Sequence, residues 1–540
     1  MRKRYNRTLI TFLLCGVTVI AGCSSGGNKA ASEAYELENI TFPLEEEVSL
    51  KIMTSSSALA PEDPNEKLLV QRLEEQTGVH IEWANYTGET FGEKRNLSVA
   101  SGELPDAIMN AGYSDFELLS LGQDGVILPL EDLIEQHMPN LQAVLDKAPE
   151  YREMMTAPDG HIYAFPWIEE LGSGKESIHS VAGLPWINVE WLDNVGLDMP
   201  TTTEELEEAL LAFKTKDPNG NGEADEIPMS FIINNGAEDP GFLFGSFGLG
   251  DNGDHTVVSN EGDVVFTAAQ AGYKEGIKYL NGLYEQQLID IEAFEQDWNT
   301  YVAKGREGRY GMYFTWDKAS TTGMNDTYKL MPPLEGPDGH KNVTRANGMG
   351  FDRGRMVITT ANQNLELTAK WIDQLYDPHM SVQANWGTYG SDTVQNIFEF
   401  DEGEQMLKHL PLEGTPPGEL RGKTSIGGPL AILDEYYGTV TTKPDDAAWR
   451  LDLLKEVMVP HMSAENIYPR LFQSVDVLER LSEIEADLIP YVERKKAEWI
   501  TNGTVEEEWE DYLAELDRLG FQEWLEIKQA AYDEFMEAQQ

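Results

Sequence analysis

Val48–Thr54 reads VSLKIMT, with Val48, Leu50 and Ile52 on one side of an alternating stretch. Alternation with period two is the pattern of a half-buried strand. Asn65–Thr77 follows, with Leu68, Leu69 and Leu73 at helical spacing, and Val79–Trp83 alternates again. Strand, helix, strand at this interval is a βαβ unit. Parallel neighbours can only be joined by a crossover, so the unit implies a parallel sheet and an α/β class. Working outward, Asp106–Met109 predicts a short strand. Helices are predicted near Phe116–Leu121, over Leu130–His137 and over Leu365–Tyr376, and another closes the chain at Phe521–Met536. Pro200-Thr201-Thr202-Thr203-Glu204-Glu205 is a helix start. Thr202 can cap and Glu205 stands three residues on, as a capping box requires, with Leu206, Ala209, Leu210 and Phe213 sharing the following face.

The first residues carry Arg2, Lys3, Arg4 and Arg7, then an apolar run from Leu9 to Ala21 that is short for a bilayer span. That is an export signal. Ile20-Ala21-Gly22-Cys23 resembles a bacterial lipobox, which places cleavage after residue 22 and a lipid on Cys23. An ordinary signal peptide beside an incidental cysteine is the plainer alternative. Cys15 would leave with the signal, so the mature chain has no disulfide. Losing four basic residues takes the formal charge from -54 to about -58. Such a chain repels nucleic acid and anionic lipid, so a membrane is met through the anchor only. Hydrophobic content of 41% marks a folded protein rather than an acidic disordered one.

The loop DPNGNGEADEIP, Asp217–Pro228, alternates short oxygen side chains at Asp217, Asn219 and Asn221, then places Gly222 at the sixth position. A loop coiling round a hard cation supplies oxygens at alternate positions. Glu223 would give its backbone carbonyl, and Asp225 and Glu226 would finish the shell. Position twelve is Pro228, where an EF-hand has a bidentate glutamate, so the loop departs from that pattern. The expectation is a structural Ca²⁺. An Asx-rich turn with no ion is the alternative.

No catalytic constellation stands out. There is no HExxH, no GxSxG and no Walker A sequence, and Gly172-Ser173-Gly174-Lys175 is followed by Glu176 where Ser or Thr would be needed. A glycosidase needs two carboxylates at a set separation, and a chain rich in acids leaves that open. The residues Asn110, Tyr113 and Asp115 follow a strand end, where ligands of open α/β sheets bind.

Several segments together resemble the extracellular solute-binding lipoproteins of ABC importers, the LplA-like and YtcQ-like group that handles oligosaccharides. They include SGELPDAIMNAGYSDF (Ser101–Phe116), APDGHIYAFPW (Ala157–Trp167), WLDNVGLDMPTTTEEL (Trp191–Leu206), the cation loop, FEQDWNTYVAKGREGRYGMYFTWD (Phe294–Asp317) and PPLEGPDGHK (Pro332–Lys341). The resemblance implies two α/β lobes joined at a hinge, with the ligand in the cleft between them. It implies this division: 1–22 signal, 23–45 tether, 46–164 plus 347–395 first lobe, 165–346 plus 396–540 second lobe. Crossings are expected near Tyr163–Trp167 and Asn347–Val357, with a third around residues 395–430.

Sugar C–H groups stack on aromatic faces, so Trp167, Trp186, Trp298, Trp316, Trp386 and Tyr389 become candidate ligand residues, each with a core role as its alternative. Relatives often carry a basic residue before the WLD helix, where this chain has Asn188. The implied protein is a monomer on the outer face of the cell membrane that delivers an oligosaccharide to ABC permease subunits, and not an enzyme. A cell-surface polysaccharide-degrading enzyme, or a sugar-sensing binding subunit, is the alternative.

Overall fold

The computed structural model describes residues 40–538 apart from 47, 413 and 463, so the signal peptide, Cys23 and most of the tether lie outside the described residues. The βαβ unit forms as the alternation predicts. Strands Val48–Ser56 and Val79–Thr87 pair in parallel from Val48 opposite Val79 to Ser56 opposite Thr87, with helix Leu68–Thr77 between them. Gly78 ends the helix at φ +71°, and a Cβ there would stand 3.0 Å from the backbone of Leu44. Only glycine takes that conformation at so close an approach without strain.

A six-stranded sheet grows from this unit in the order 430–432, 165–169, 351–358, 107–109, 48–56, 79–87. Strand Phe351–Ile358 runs antiparallel to both its neighbours, and the rest of the sheet is parallel within each side of it. A second sheet of four strands has the order 328–330, 184–188, 310–315, 227–230. Each sheet is the centre of one lobe. The second lobe's core gathers Leu206, Leu210 and Phe213 from helix Thr203–Thr215 against Met229, Met312 and Phe314 of the sheet. The capping box of that helix is present, with Thr202 accepting from the Glu205 N–H at 3.1 Å. Thr202→Ala should therefore cost about 1 kcal/mol of stability, read as a shift in the urea midpoint with unchanged slope.

The expected boundaries need correction. Strand Phe165–Glu169 belongs to the first sheet, so the chain leaves the first lobe after Glu169 and not at 165. Strand Leu430–Ile432 pairs in parallel with it, so residues 396–432 return to the first lobe and the third crossing falls between 432 and 445. A strand hydrogen-bonded into a sheet cannot be handed to the other lobe. The C-terminal helices pack on the second core, but the long helix Val475–Asn502 begins against the first. Phe472, Val475 and Leu478 pack beside Tyr113 and Leu118, whereas Leu488, Val492 and Trp499 lie in the second core. Among the described residues, no helix is long and apolar enough to cross a membrane.

Candidate functional site

Between the sheets lies a cavity of about 260 Å³ lined by five tryptophans. Trp167 comes from strand Phe165–Glu169 and Trp386 from the end of helix Pro378–Trp386, both on the first-lobe side. Trp186 comes from strand Leu184–Asn188, Trp316 follows strand Tyr310–Thr315, and Trp449 sits on helix Asp445–Leu453. Rings therefore face the cavity from both lobes.

Each ring is held from behind. The Arg450 guanidinium lies 3.6 Å from the centre of Trp316, and its nitrogens donate to the carbonyls of Trp316 at 2.7 Å and of Val181 at 2.5 Å. Burial pulls this group down to about 9, so it stays charged at neutral pH. Arg421 covers Trp386 at 4.4 Å and donates to both oxygens of Asp446 at 2.8 Å. Trp186 and Trp449 stack at 5.4 Å with 17° between planes. Trp167 donates to Asn385 Oδ1 at 3.2 Å. Polar groups fill the gaps between rings. Asp317 lies on the wall with its carboxyl pushed up by burial, Asp446's charge adding to this, while Arg421 and Arg450 oppose it. A cavity of ring faces with a few carboxylates and an amide suits a polyhydroxylated ring ligand, whose C–H faces stack and whose hydroxyls donate to the oxygens.

Four of the nine candidate ligand residues, Trp167, Trp186, Trp316 and Trp386, meet at this cavity. The others lie elsewhere. Trp298 is 39% exposed at the start of helix Trp298–Arg306, and its neighbour Asn299 lines a wider opening with Ser55, Ser57, Asn110 and Arg355. Asn110 is at that opening, but it is a cross-link. At φ +53° its amide donates to Thr54, Ser55 and Ile426, and its oxygen accepts from Gly428. Tyr113 is buried beneath Arg95, whose guanidinium lies 4.2 Å over the ring, and burial raises its hydroxyl to about 12. Asp115 is taken by Arg353 at 3.2 Å and Arg470 at 3.1 Å, which fixes the start of the long C-terminal helix to the first lobe. Tyr389 stacks on Phe400 at 5.6 Å under Arg72, outside the cavity. Asn188 is 2% exposed and caps helix Val189–Val195 through the Trp191 N–H at 3.1 Å. Its short side chain serves the helix start, where an arginine could not cap.

Sequence reasoning missed Trp449, Arg450, Arg421, Asp446 and Glu169. The one signal was Trp449-Arg450 on an amphipathic stretch, an aromatic beside a cation just past a crossing.

The Asp217–Pro228 loop is wrapped on itself. Asp217, at φ +48°, accepts from the Gly222 N–H at 3.0 Å, and the amides of Asn219 and Asn221 both donate to Asp225 Oδ1, at 3.0 and 3.1 Å. Glu226 Oε1 is buried without a partner. Burial raises its carboxyl, and the charges of Asp225 and Asp217 add to the rise. The orphan oxygen, with the charges of Asp225 and Asp217 close enough to raise its carboxyl, fits the second half of a divalent-cation shell. Among the described residues no three His, Cys, Asp or Glu side chains are already gathered around one point, so the loop would have to tighten to ligate one.

A profile for bacterial extracellular solute-binding proteins matches residues 59–379. The chain belongs to this family. It is 58% identical over 533 residues to the fructooligosaccharide ABC transporter substrate-binding protein FusA of Streptococcus pneumoniae, covering 99% of this chain and 98% of that one. The solved structure of FusA in complex with kestose superposes with a TM-score of 0.90 at 60% identity, over 91% of this chain and 100% of that chain. A FusA EF-hand mutant in complex with fructo-nystose matches with the same TM-score at 59% identity and the same coverage. The two-lobed solute-binding fold inferred from the sequence is thereby established.

Proposed function

We propose that this protein captures a fructooligosaccharide between its lobes and delivers it to ABC permease subunits at the outer face of the cell membrane, acting as a monomer. The observation that carries the reading is the cavity of five tryptophans drawn from both lobes, in a chain 58% identical to a fructooligosaccharide-binding protein. A sugar seated there would touch both lobes at once, so closing the hinge would add contacts rather than only enclose it. Titration calorimetry with kestose, nystose and a glucan trisaccharide tests the reading. The expected result is one site for the fructans at about micromolar affinity, near -8 kcal/mol, and little heat from the glucan. Equal heats from all three, or none from the fructans, would overturn it.

The enzyme alternative is disfavoured by how the cavity's carboxylates are used. Asp446 gives both oxygens to Arg421, and Glu169 gives one to Tyr437 and one to His179, which leaves Asp317 alone where a glycosidase needs a pair. Kestose should therefore be recovered intact after long incubation.

Anchoring is assigned to Cys23, which lies outside the described residues. Two or more acyl chains hold a protein where one does not. Cys23→Ala should move the protein from the membrane fraction to the medium, and retention in the membrane would refute the anchor.

The loop is assigned a structural Ca²⁺ held by Asp217, Asn219, Asn221, Asp225 and Glu226, with the Glu223 carbonyl. The ion would neutralise Glu226, whose charged form burial and the nearby charges of Asp225 and Asp217 now disfavour. It lies at the end of helix Thr203–Thr215, before strand Ile227–Ser230. Chelation should lower the melting temperature by several degrees, as loss of a ligand selective for the folded state must. Kestose affinity measured well below that temperature should stay nearly unchanged. Asp217→Ala should reproduce both results.

A further inference from the structure

Glu169 ends the strand Phe165–Glu169 and is 2% exposed. Three crossings link the two sheets, beside the long helix Val475–Asn502 that also spans both lobes, and all three crossings meet on this residue. The first crossing starts at Glu169 and supplies His179, whose Nε2 lies 2.8 Å from Oε2. The second ends at Gly350, whose carbonyl accepts from the Glu169 N–H at 2.8 Å. Gly350 stands at φ +66°, and a Cβ there would come within 2.1 Å of the Glu169 carbonyl. The third crossing supplies Tyr437, whose hydroxyl donates to Oε1 at 2.6 Å.

The partners of Glu169 reach the cavity walls. Trp386 Nε1 donates to the Tyr437 oxygen at 3.2 Å. The His179 ring lies 5.9 Å from Trp316 and 6.0 Å from Trp167. Glu169 and His179 themselves line the cavity. One buried carboxylate thus joins the hinge segments to three of the five rings. A carboxylate accepts along fixed directions, and one left short of a partner when buried is costly. Any rotation of the crossings that moves His179 or Tyr437 must also move the rings they support.

We propose that Glu169 is the positioning residue that couples sugar seating on Trp316 and Trp386 to lobe closure. The proposal rests on the cavity being the sugar site. Its mechanical part, control of the hinge, can be read without sugar.

The test uses the mature full chain with Cys23→Ser and fluorophores at Leu97→Cys and Leu211→Cys. These are exposed leucines on helix Gly88–Ser101 of the first lobe and helix Thr203–Thr215 of the second. Single-molecule energy transfer gives the lobe separation with and without kestose. Glu169→Gln should shift or broaden the separation in the unliganded protein, shrink the change caused by kestose, and weaken kestose about tenfold. Tyr437→Phe, which removes one link and keeps the carboxylate, should do the same to a smaller degree, and it carries the test if Glu169→Gln does not fold. An unliganded distribution identical to wild type in the folded variants would overturn the proposal, whatever the affinity. So would weaker binding with full closure at saturating kestose, which would make Glu169 a mere contact. If wild type itself ignores kestose, the sugar reading falls, and the unliganded distributions still decide whether Glu169 governs the hinge.

Discussion

Arg450→Ala should take kestose binding below detection and lower stability by about 3 kcal/mol. The residue is 4% exposed, and its guanidinium bonds to the carbonyls of Trp316, Val181 and Ala182 while standing 3.6 Å over the Trp316 ring. Hydrogen bonds from a charged donor are worth about 1.5–3 kcal/mol, and truncation leaves buried carbonyls without a donor. The first crossing and the Trp316 wall lose their common support together. Arg450→Lys keeps the charge but cannot reach three carbonyls from one plane, so it should recover only part of the stability. Calorimetry with kestose and a urea titration read the two effects. Wild-type affinity in a folded Arg450→Ala protein would mean that Trp316 takes no part in binding.

Trp316→Ala should weaken kestose by about 2 kcal/mol, roughly thirtyfold, while the fold survives. Trp316 is only partly buried and its open face belongs to the cavity, so the ring is free for a ligand at little cost to the core. Trp386→Ala should weaken binding by a similar factor but also cost stability. That ring is 7% exposed, with Arg421 above it and its indole N–H on Tyr437. Comparing melting temperatures of the two variants separates a binding face from a supporting wall. Neutral affinities in both would displace the ligand from this cavity.

The difference between those two tryptophans was not legible in the sequence, whereas their presence near the cleft was. Periodicity exposed the βαβ unit and the Thr202 capping box because both depend on neighbours a few residues apart. The third crossing was misplaced because strand Leu430–Ile432 has three residues, and its partner strand lies at 165–169, far away in the chain. Local pattern carries no trace of such a pairing. Asn110 and Asp115 sit at strand ends, as ligand residues of α/β folds do. Here those positions join segments of the chain, Asn110 to residues 426–428 and Asp115 to Arg470. Arg421, Asp446 and Arg450 were invisible for another reason. In a chain with 25% charged residues, three charges on helices read as solvated faces until the fold turns them inward. Asn188 shows the converse, a position singled out as a candidate ligand difference that serves a helix cap instead.

A crystal structure of the protein soaked or grown with kestose tests the central claim most directly. The account predicts a sugar between the lobes, with a ring face on Trp316, another ring in contact with Trp167 or Trp386, and hydroxyls on Asp317 or Asn385. Kestose bound away from these tryptophans, or touching one lobe alone, would contradict it.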